Sequence, residues 1–73
     1  EFYYYAGWAN NQLTKFKRAK EQLEIGVDYI IDNPELEGNF YFQLSEAFQG
    51  LGDEKKKEAY LIKAQKILKG TKP

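Results

Sequence analysis

The side chains that most often carry catalysis or bind metals are scarce in this sequence. It contains no histidine and no cysteine, so it lacks an imidazole base, a thiolate nucleophile and the usual zinc ligands. Glu21, Glu24 and Asp28 fall three and four positions apart, and one helix face could therefore offer three carboxylates to a hard cation. A calcium site needs more converging oxygens than one helix supplies. We therefore interpret these carboxylates as a solvated face and expect neither a metal nor another cofactor.

The short motifs that accompany group transfer are missing as well. The chain has no glycine-rich phosphate loop and no nucleophile motif, and we expect a protein that is not an enzyme. Lysine plus arginine and aspartate plus glutamate both count 11, so no net positive charge favours nucleic acid or an anionic membrane as a partner. No apolar run approaches the roughly 18 residues of a membrane span, which predicts a soluble chain.

The sequence repeats itself after about 38 residues (Phe40 minus Phe2). This shift places the aromatic residues 2–4 on the aromatic residues 40–42 without a gap. Four further pairs are identical under the same shift: Ala9 and Ala47, Leu13 and Leu51, Lys17 and Lys55, Leu23 and Leu61. Because residue size and residue type both repeat, we expect the two halves to pack in the same way.

Within each half the apolar residues recur every three or four positions, which places them on one face of a helix. The stripes are Phe2, Ala6, Ala9 and Leu13; Phe16, Ala19, Leu23, Gly26 or Val27, and Ile30; Phe40, Leu44, Ala47 and Leu51; Tyr60 or Leu61, Ala64, and Ile67 or Leu68. We expect four helices, near residues 2–13, 16–31, 35–51 and 54–69. The aromatic residues expected in the core are Phe2, Tyr3, Phe40, Tyr41 and Phe48.

The breaks between these helices contain capping residues. Gly52 can adopt the left-handed conformation that ends a helix, and Asp53 can accept backbone N–H bonds as the N-cap of the next one. Pro34 suits the first helical position behind an Asn33 cap. In the first half we expect Thr14 to act as the cap, as Asp53 does in the second.

The repeat resembles the tetratricopeptide repeat, in which an aromatic, a large, a small and an aromatic residue mark the first helix and a small residue marks the second. The residues that carry the resemblance are Tyr3, Ala6, Gly7, Asn10, Ala19 and Leu23, then Tyr41, Leu44, Ser45, Phe48, Gly52, Asp53 and Ala64. Asn10 and Lys57 depart from the family pattern. The repeat also exceeds the usual 34 residues by about one helical turn, which we expect at the end of the second helix, around Asp28 to Ile31.

The resemblance implies an all-α, right-handed α-solenoid of two antiparallel helix pairs. Residues 1–73 would then form a single domain, with one repeat at about 1–34 and the other at about 35–70. The resemblance also indicates a fragment of a longer bacterial protein, and the absence of methionine agrees with a chain cut from a larger one. A cytoplasmic location is favoured over an exported one.

Solenoids of this kind bind peptides or helices of other proteins on a concave surface lined by the first helix of each repeat. The resemblance places eight residues on that surface: Tyr4, Trp8, Asn11, Gln12, Phe42, Gln43, Glu46 and Gln49. Tyr4, Trp8 and Phe42 are the expected anchors, because aromatic side chains bury much area for few rotatable bonds. The resemblance therefore implies a protein-interaction module.

Two other functions compete with this one. In the first, the repeats have a structural role and either extend a longer solenoid or form a homo-oligomer through exposed terminal helices. The second, DNA binding by a helix-turn-helix, is disfavoured by the neutral charge. Some members of the resembled family hold a C-terminal carboxylate with a lysine and asparagine clamp. Tyr4 and Trp8 stand where that clamp begins, so we expect acidic C-terminal peptides not to bind.

Overall fold

The computed structural model describes residues 2–70, which form four α-helices. These are α1 (Phe2–Gln12), α2 (Phe16–Val27), α3 (Pro34–Gly50) and α4 (Glu54–Gly70). No β-strand occurs between residues 2 and 70, and the predicted all-α fold class is therefore confirmed. In that part of the chain no helix combines the length and the apolar character needed to cross a bilayer.

Each half of the chain folds as an antiparallel helical hairpin. In the first hairpin (α1 and α2), Gly7 lies against Leu23 and Gly26 lies against Tyr3. Early residues of α1 therefore contact late residues of α2, as in antiparallel helices. In the second hairpin (α3 and α4), Gly38 near the start of α3 lies against Leu68 near the end of α4. Glycine at these positions lets the paired helices approach closely.

The two hairpins are joined through α3, which packs against both α1 and α2. The Tyr4 ring of α1 lies 5.5 Å from the Phe40 ring, and Asn11 of α1 donates hydrogen bonds to Gln43. A later residue of α1 therefore contacts a later residue of α3, so the two helices run in the same direction. Between residues 2 and 70, the backbone of α4 packs only on that of α3, although Glu24 of α2 is close enough for its charge to act on the Tyr60 hydroxyl of α4.

The turns inside the two hairpins have the same backbone hydrogen bonds, 38 positions apart. The first turn has N–H to carbonyl bonds from Leu13 to Ala9, Thr14 to Asn11, Lys15 to Asn10 and Ala19 to Lys15. Adding 38 to both numbers gives Leu51 to Ala47, Gly52 to Gln49, Asp53 to Phe48 and Lys57 to Asp53, all of which are present. The repeat in the sequence is therefore also a repeat in the backbone.

The capping predictions are confirmed in the second hairpin and wrong in the first. Gly52 has a φ of 80°, and an Asp53 carboxylate oxygen accepts the Lys56 N–H at 3.0 Å. Thr14 occupies the position of Gly52, with a φ of 58°, and its hydroxyl donates to the Leu13 carbonyl at 2.6 Å. Lys15 stands at the N-cap of α2 without a side-chain cap bond. Thr14 therefore ends α1 in a strained left-handed conformation instead of capping α2.

The remaining cap follows the prediction. The Asn33 side chain accepts the Leu36 N–H at 3.1 Å, and Pro34 is the first residue of α3. Proline there loses only an N–H group that has no partner inside the helix.

The α2 helix is shorter than expected, and the prediction of an additional helical turn around Asp28 to Ile31 is wrong. The helix ends at Val27, and the N–H groups of Tyr29 and Ile30 bond to carbonyls three residues back. Asp28 places an acid at the negative end of the helix dipole. Aromatic and β-branched residues, which are weaker helix formers, follow it. The additional length of the repeat therefore lies in the connector between the hairpins.

The core lies where α3 meets the first hairpin. Its fully buried residues are Ala19, Leu23, Phe40, Leu44, Ala47 and Phe48, and Ala64 of α4 is also fully buried. The predictions for Phe40 and Phe48 are confirmed, and Tyr3 and Tyr41 pack against this cluster while partly exposed. Burying a leucine or phenylalanine side chain stabilises the fold by about 1.5–3 kcal/mol.

The prediction that Phe2 belongs to the core is wrong, since 72% of it is exposed. The helix α1 meets its neighbours through Gly7, Tyr4 and Asn11. Because side chains three or four positions apart share a face, the stripe of Phe2, Ala6, Ala9 and Leu13 lies on the other side of α1. The sequence stripe is real, but Phe2 and Leu13 are largely exposed and Ala6 and Ala9 are only partly buried.

Candidate protein-binding surface

The predicted site residues of α1 meet those of α3 along one side of the molecule. We call this surface the α1–α3 face and define it by Tyr4, Trp8 and Gln12 of α1 with Gln43 and Glu46 of α3. Tyr4 and Glu46 are close enough for the Glu46 charge to act on the Tyr4 hydroxyl. Trp8 follows Tyr4 by one helical turn. The face therefore combines aromatic rings with amide and carboxylate groups.

Asn11 fixes the two helices of this face to one another. Its Nδ2 donates to the Gln43 carbonyl at 3.0 Å and to the Gln43 Oε1 at 2.9 Å. Only 8% of the residue is exposed, so Asn11 positions the face more than it lines it. Its Oδ1 is buried and has no hydrogen-bond partner between residues 2 and 70. A buried acceptor of this kind lowers stability unless a water or a ligand donates to it.

Trp8 is the largest accessible side chain of the α1–α3 face. It is 45% exposed, so one part of the indole packs on the protein while the rest faces solvent. Gln12 is exposed on the next turn of α1, and Glu46 and Gln49 are exposed on α3. This geometry suits an anchor, because a ring that is already held loses little entropy when a partner covers it.

The hydroxyl of Tyr4 stays protonated near neutral pH. Partial burial raises its pKa, and the neighbouring Tyr5 and Glu46 raise it further. Burial is also the main reason why the pKa of Tyr41 in α3 and the pKa of Tyr60 in α4 are raised. Tyr4 therefore offers a partner a neutral hydroxyl that can donate or accept a hydrogen bond.

The α1 helix is unusual in carrying no charge on any face. Its sequence from Phe2 to Gln12 contains no acidic and no basic residue, although 30% of the chain is charged. An outer helix normally places charged residues on its solvent side. In α1 that side carries Phe2, Tyr5 and Trp8 instead, which is typical of a surface that another polypeptide covers.

Phe42 is the predicted anchor that the structure places elsewhere. It lies in a groove of about 380 Å³ between α3 and α4, together with Gln65, Leu68 and Lys69. Tyr4 and Trp8 do not line this groove. Of the three expected anchors, the structure therefore brings together only Tyr4 and Trp8.

An apolar recess lies beside the connector and was not predicted from the sequence. It measures about 460 Å³ and is lined by residues that include Phe2, Tyr29, Ile31 and Leu36. Tyr29 stacks on Tyr3 with ring centroids 6.1 Å apart. Its sequence signal is the apolar run of residues 29–31, which ends two residues before the Asn33 cap and which the helical spacing assigns to the second helix.

Metal-ligating side chains do not cluster in the part of the chain that the structure describes. Between residues 2 and 70 no group of three or more acidic residues is placed so that it could hold a metal ion. The carboxylates of Glu21, Glu24 and Asp28 therefore do not form a cation site.

Comparisons with family models, with curated proteins and with solved structures found no match to this chain. The resemblance to the tetratricopeptide repeat stays a prediction based on the residues themselves.

Proposed function

We propose that this chain is a protein-interaction module that binds a peptide or a helix of another protein on the α1–α3 face. The observation that carries the proposal is the half-exposed Trp8 on a helix without charged residues. Tryptophan and tyrosine are enriched among the residues that dominate binding energy. A structural role in extending a solenoid is the second candidate, which the exposure of Phe2 and Leu13 favours.

The architecture that we propose for the module is a right-handed α-solenoid of the tetratricopeptide type. Two observations support it: the hydrogen bonds of the two hairpin turns repeat after 38 positions, and α1 and α3 run in the same direction. In such a stack the first helix of each hairpin lines one continuous side. The α1–α3 face is that side in this chain.

The chemistry of the face indicates which partner it would accept. Trp8 and Tyr4 offer apolar ring area, and the Trp8 indole also attracts cations over its ring face. Glu46 supplies a negative charge beside Tyr4, while Gln12 supplies an amide that can bond a peptide backbone. We infer a partner segment that combines an apolar anchor with a lysine or an arginine.

A selection from random peptides tests this proposal without knowledge of the natural partner. Phage-displayed 12-residue peptides would be selected on the immobilised chain, and the affinity of the enriched peptides measured by calorimetry. We expect enriched peptides to carry basic and apolar residues and to bind with micromolar affinity. Changing Trp8→Ala should weaken binding at least about tenfold, which corresponds to 1.4 kcal/mol.

The matched control is Tyr29→Ala, which removes another exposed aromatic residue that stacks on Tyr3 and not on the α1–α3 face. It should leave the affinity unchanged. Peptides that bind the Trp8→Ala variant as tightly as the original chain would contradict the proposal. Saturable binding of an acidic C-terminal peptide would contradict the expected partner charge.

A further inference from the structure

The stripe of α1 has a counterpart along α3 that is buried except at Leu51, which follows the helix and is 45% exposed. Adding 38 to Phe2, Ala6, Ala9 and Leu13 gives Phe40, Leu44, Ala47 and Leu51. Phe40 is only 2% exposed, because α1 and α2 pack over it, whereas Phe2 is 72% exposed. Tyr5, the equivalent of Gln43, is 64% exposed. We call Phe2, Tyr5, Ala6 and Ala9 the leading face.

The residues that cover Phe40 have counterparts 38 positions further on, and one part of that second surface is an accessible groove. Phe40 packs on Tyr4 at a centroid distance of 5.5 Å and on Gly26, while Asn11 bonds to Gln43. The counterparts of Tyr4, Gly26 and Asn11 are Phe42, Ala64 and Gln49. Phe42 lines the groove between α3 and α4. Ala64 is already fully buried within the chain, so we define the trailing groove by Phe42, Gln49, Gln65 and Leu68.

We propose that the leading face of one copy of this chain docks into the trailing groove of a second copy, repeating the contact that joins the two hairpins within the chain. In this arrangement Phe2 packs on Phe42 as Phe40 packs on Tyr4. The amide of Gln49 replaces that of Asn11 and reaches Tyr5. The proposal concerns a different surface from the α1–α3 face and does not rest on it.

The fit differs from the internal contact at one position. The Phe40 ring comes so close to Gly26 that an added Cβ would lie 2.6 Å from it. Its counterpart Ala64 carries that Cβ and is fully buried within the chain, so the Phe2 ring cannot approach α4 there as closely as the Phe40 ring approaches α2. The exposed Gln65 side chain replaces Val27 at the rim, and the copy contact is therefore weaker and more polar than the internal one.

The occupant is a second copy because the chain presents both halves of one interface. The leading face belongs to a helix without charged residues, and its equivalent in α3 fits a surface of this same repeat. Two different patches meet in such a contact, so it is heterologous and does not close on itself. Each added copy again leaves one leading face and one trailing groove open. The structure therefore assigns open, head-to-tail growth and not a closed dimer.

Sedimentation velocity from micromolar to millimolar concentration, combined with two complementary variants, tests the proposal. The unmodified chain should form species larger than a dimer as concentration rises. Phe2→Glu blocks the leading face, and Phe42→Glu blocks the trailing groove. Each variant alone should remain monomeric. An equimolar mixture should form a species of two chains and nothing larger, because only one productive contact remains.

Circular dichroism establishes that both variants are folded, and Gln65→Arg replaces Phe42→Glu if that variant unfolds. Ile25→Glu serves as the control, since Ile25 is exposed on α2, outside the leading face and the trailing groove, and it should associate like the unmodified chain. A strictly monomeric original chain, growth that stops at a dimer, or a mixture that stays monomeric would each overturn the proposal.

Discussion

At the level of single residues, the two hairpin turns share one backbone conformation, but their residues suit it to different degrees. In the second turn, Gly52 suits the left-handed conformation and Asp53 caps α4. In the first turn, Thr14 and Lys15 make the same backbone hydrogen bonds. A β-branched residue at a φ of 58° is strained, and a left-handed conformation costs an L-residue about 1–2 kcal/mol. Replacing Thr14 and Lys15 with the residue types found at Gly52 and Asp53 should therefore stabilise the chain.

We predict that Thr14→Gly raises the free energy of unfolding by about 0.5–1 kcal/mol. The relief of strain exceeds the loss caused by the greater freedom of glycine in the unfolded chain. Adding Lys15→Asp supplies the missing N-cap, which is worth about 1 kcal/mol more. Urea unfolding followed by circular dichroism measures both effects. The reverse change Gly52→Thr should destabilise the chain, and a Thr14→Gly variant less stable than the original would contradict this account.

At the scale of helices, the close approach of α1, α2 and α3 depends on small residues at their crossings. Gly26 is buried, and a Cβ there would lie 2.5 Å from the Cβ of Tyr3 and 2.6 Å from the Phe40 ring. Neither group lies at the end of a flexible chain, so the helices themselves must move. An added methyl group at Gly26 therefore forces α1, α2 and α3 apart at this crossing.

We predict that Gly26→Ala lowers the free energy of unfolding by about 1–3 kcal/mol through overpacking. The effect opposes helix propensity, which alone favours alanine over glycine by about 1 kcal/mol. Glu21→Ala on the exposed side of α2 is the matched control and should change stability little. Equilibrium urea unfolding measures both variants. A Gly26→Ala variant as stable as the original would show that the helices are not tightly packed at this crossing.

The helical spacing predicted the number and the starts of the helices because each begins at a cap or a turn with local chemistry, as at Asn33 and Gly52. It failed at the end of α2, where no glycine or proline marks the stop until Pro34. It also failed for Phe2, because a stripe shows that a face is apolar and not whether a neighbour covers it. The burial of Asn11 could not be predicted from helical spacing either, because its hydrogen-bond partner Gln43 is distant in sequence.

At the scale of the whole molecule, the two hairpins are one unit used twice, and α3 joins them. Phe42, the counterpart of Tyr4, lines an accessible groove of the second hairpin, and Phe2 of α1 is exposed where its counterpart Phe40 is buried. Stability in such stacks is the sum of the units and the contacts between neighbours. A further unit placed in the same register should therefore add stability to the whole chain.

Adding one unit tests this claim most directly. The variant consists of residues 2–65 followed by a second copy of residues 28–70, because Gln65 is the equivalent of Val27 (27 plus 38). We predict a single urea transition with a higher midpoint than the original chain and a steeper dependence on urea, since more surface is buried in one cooperative structure. Two separate transitions, one at the midpoint of the original chain, would contradict the account.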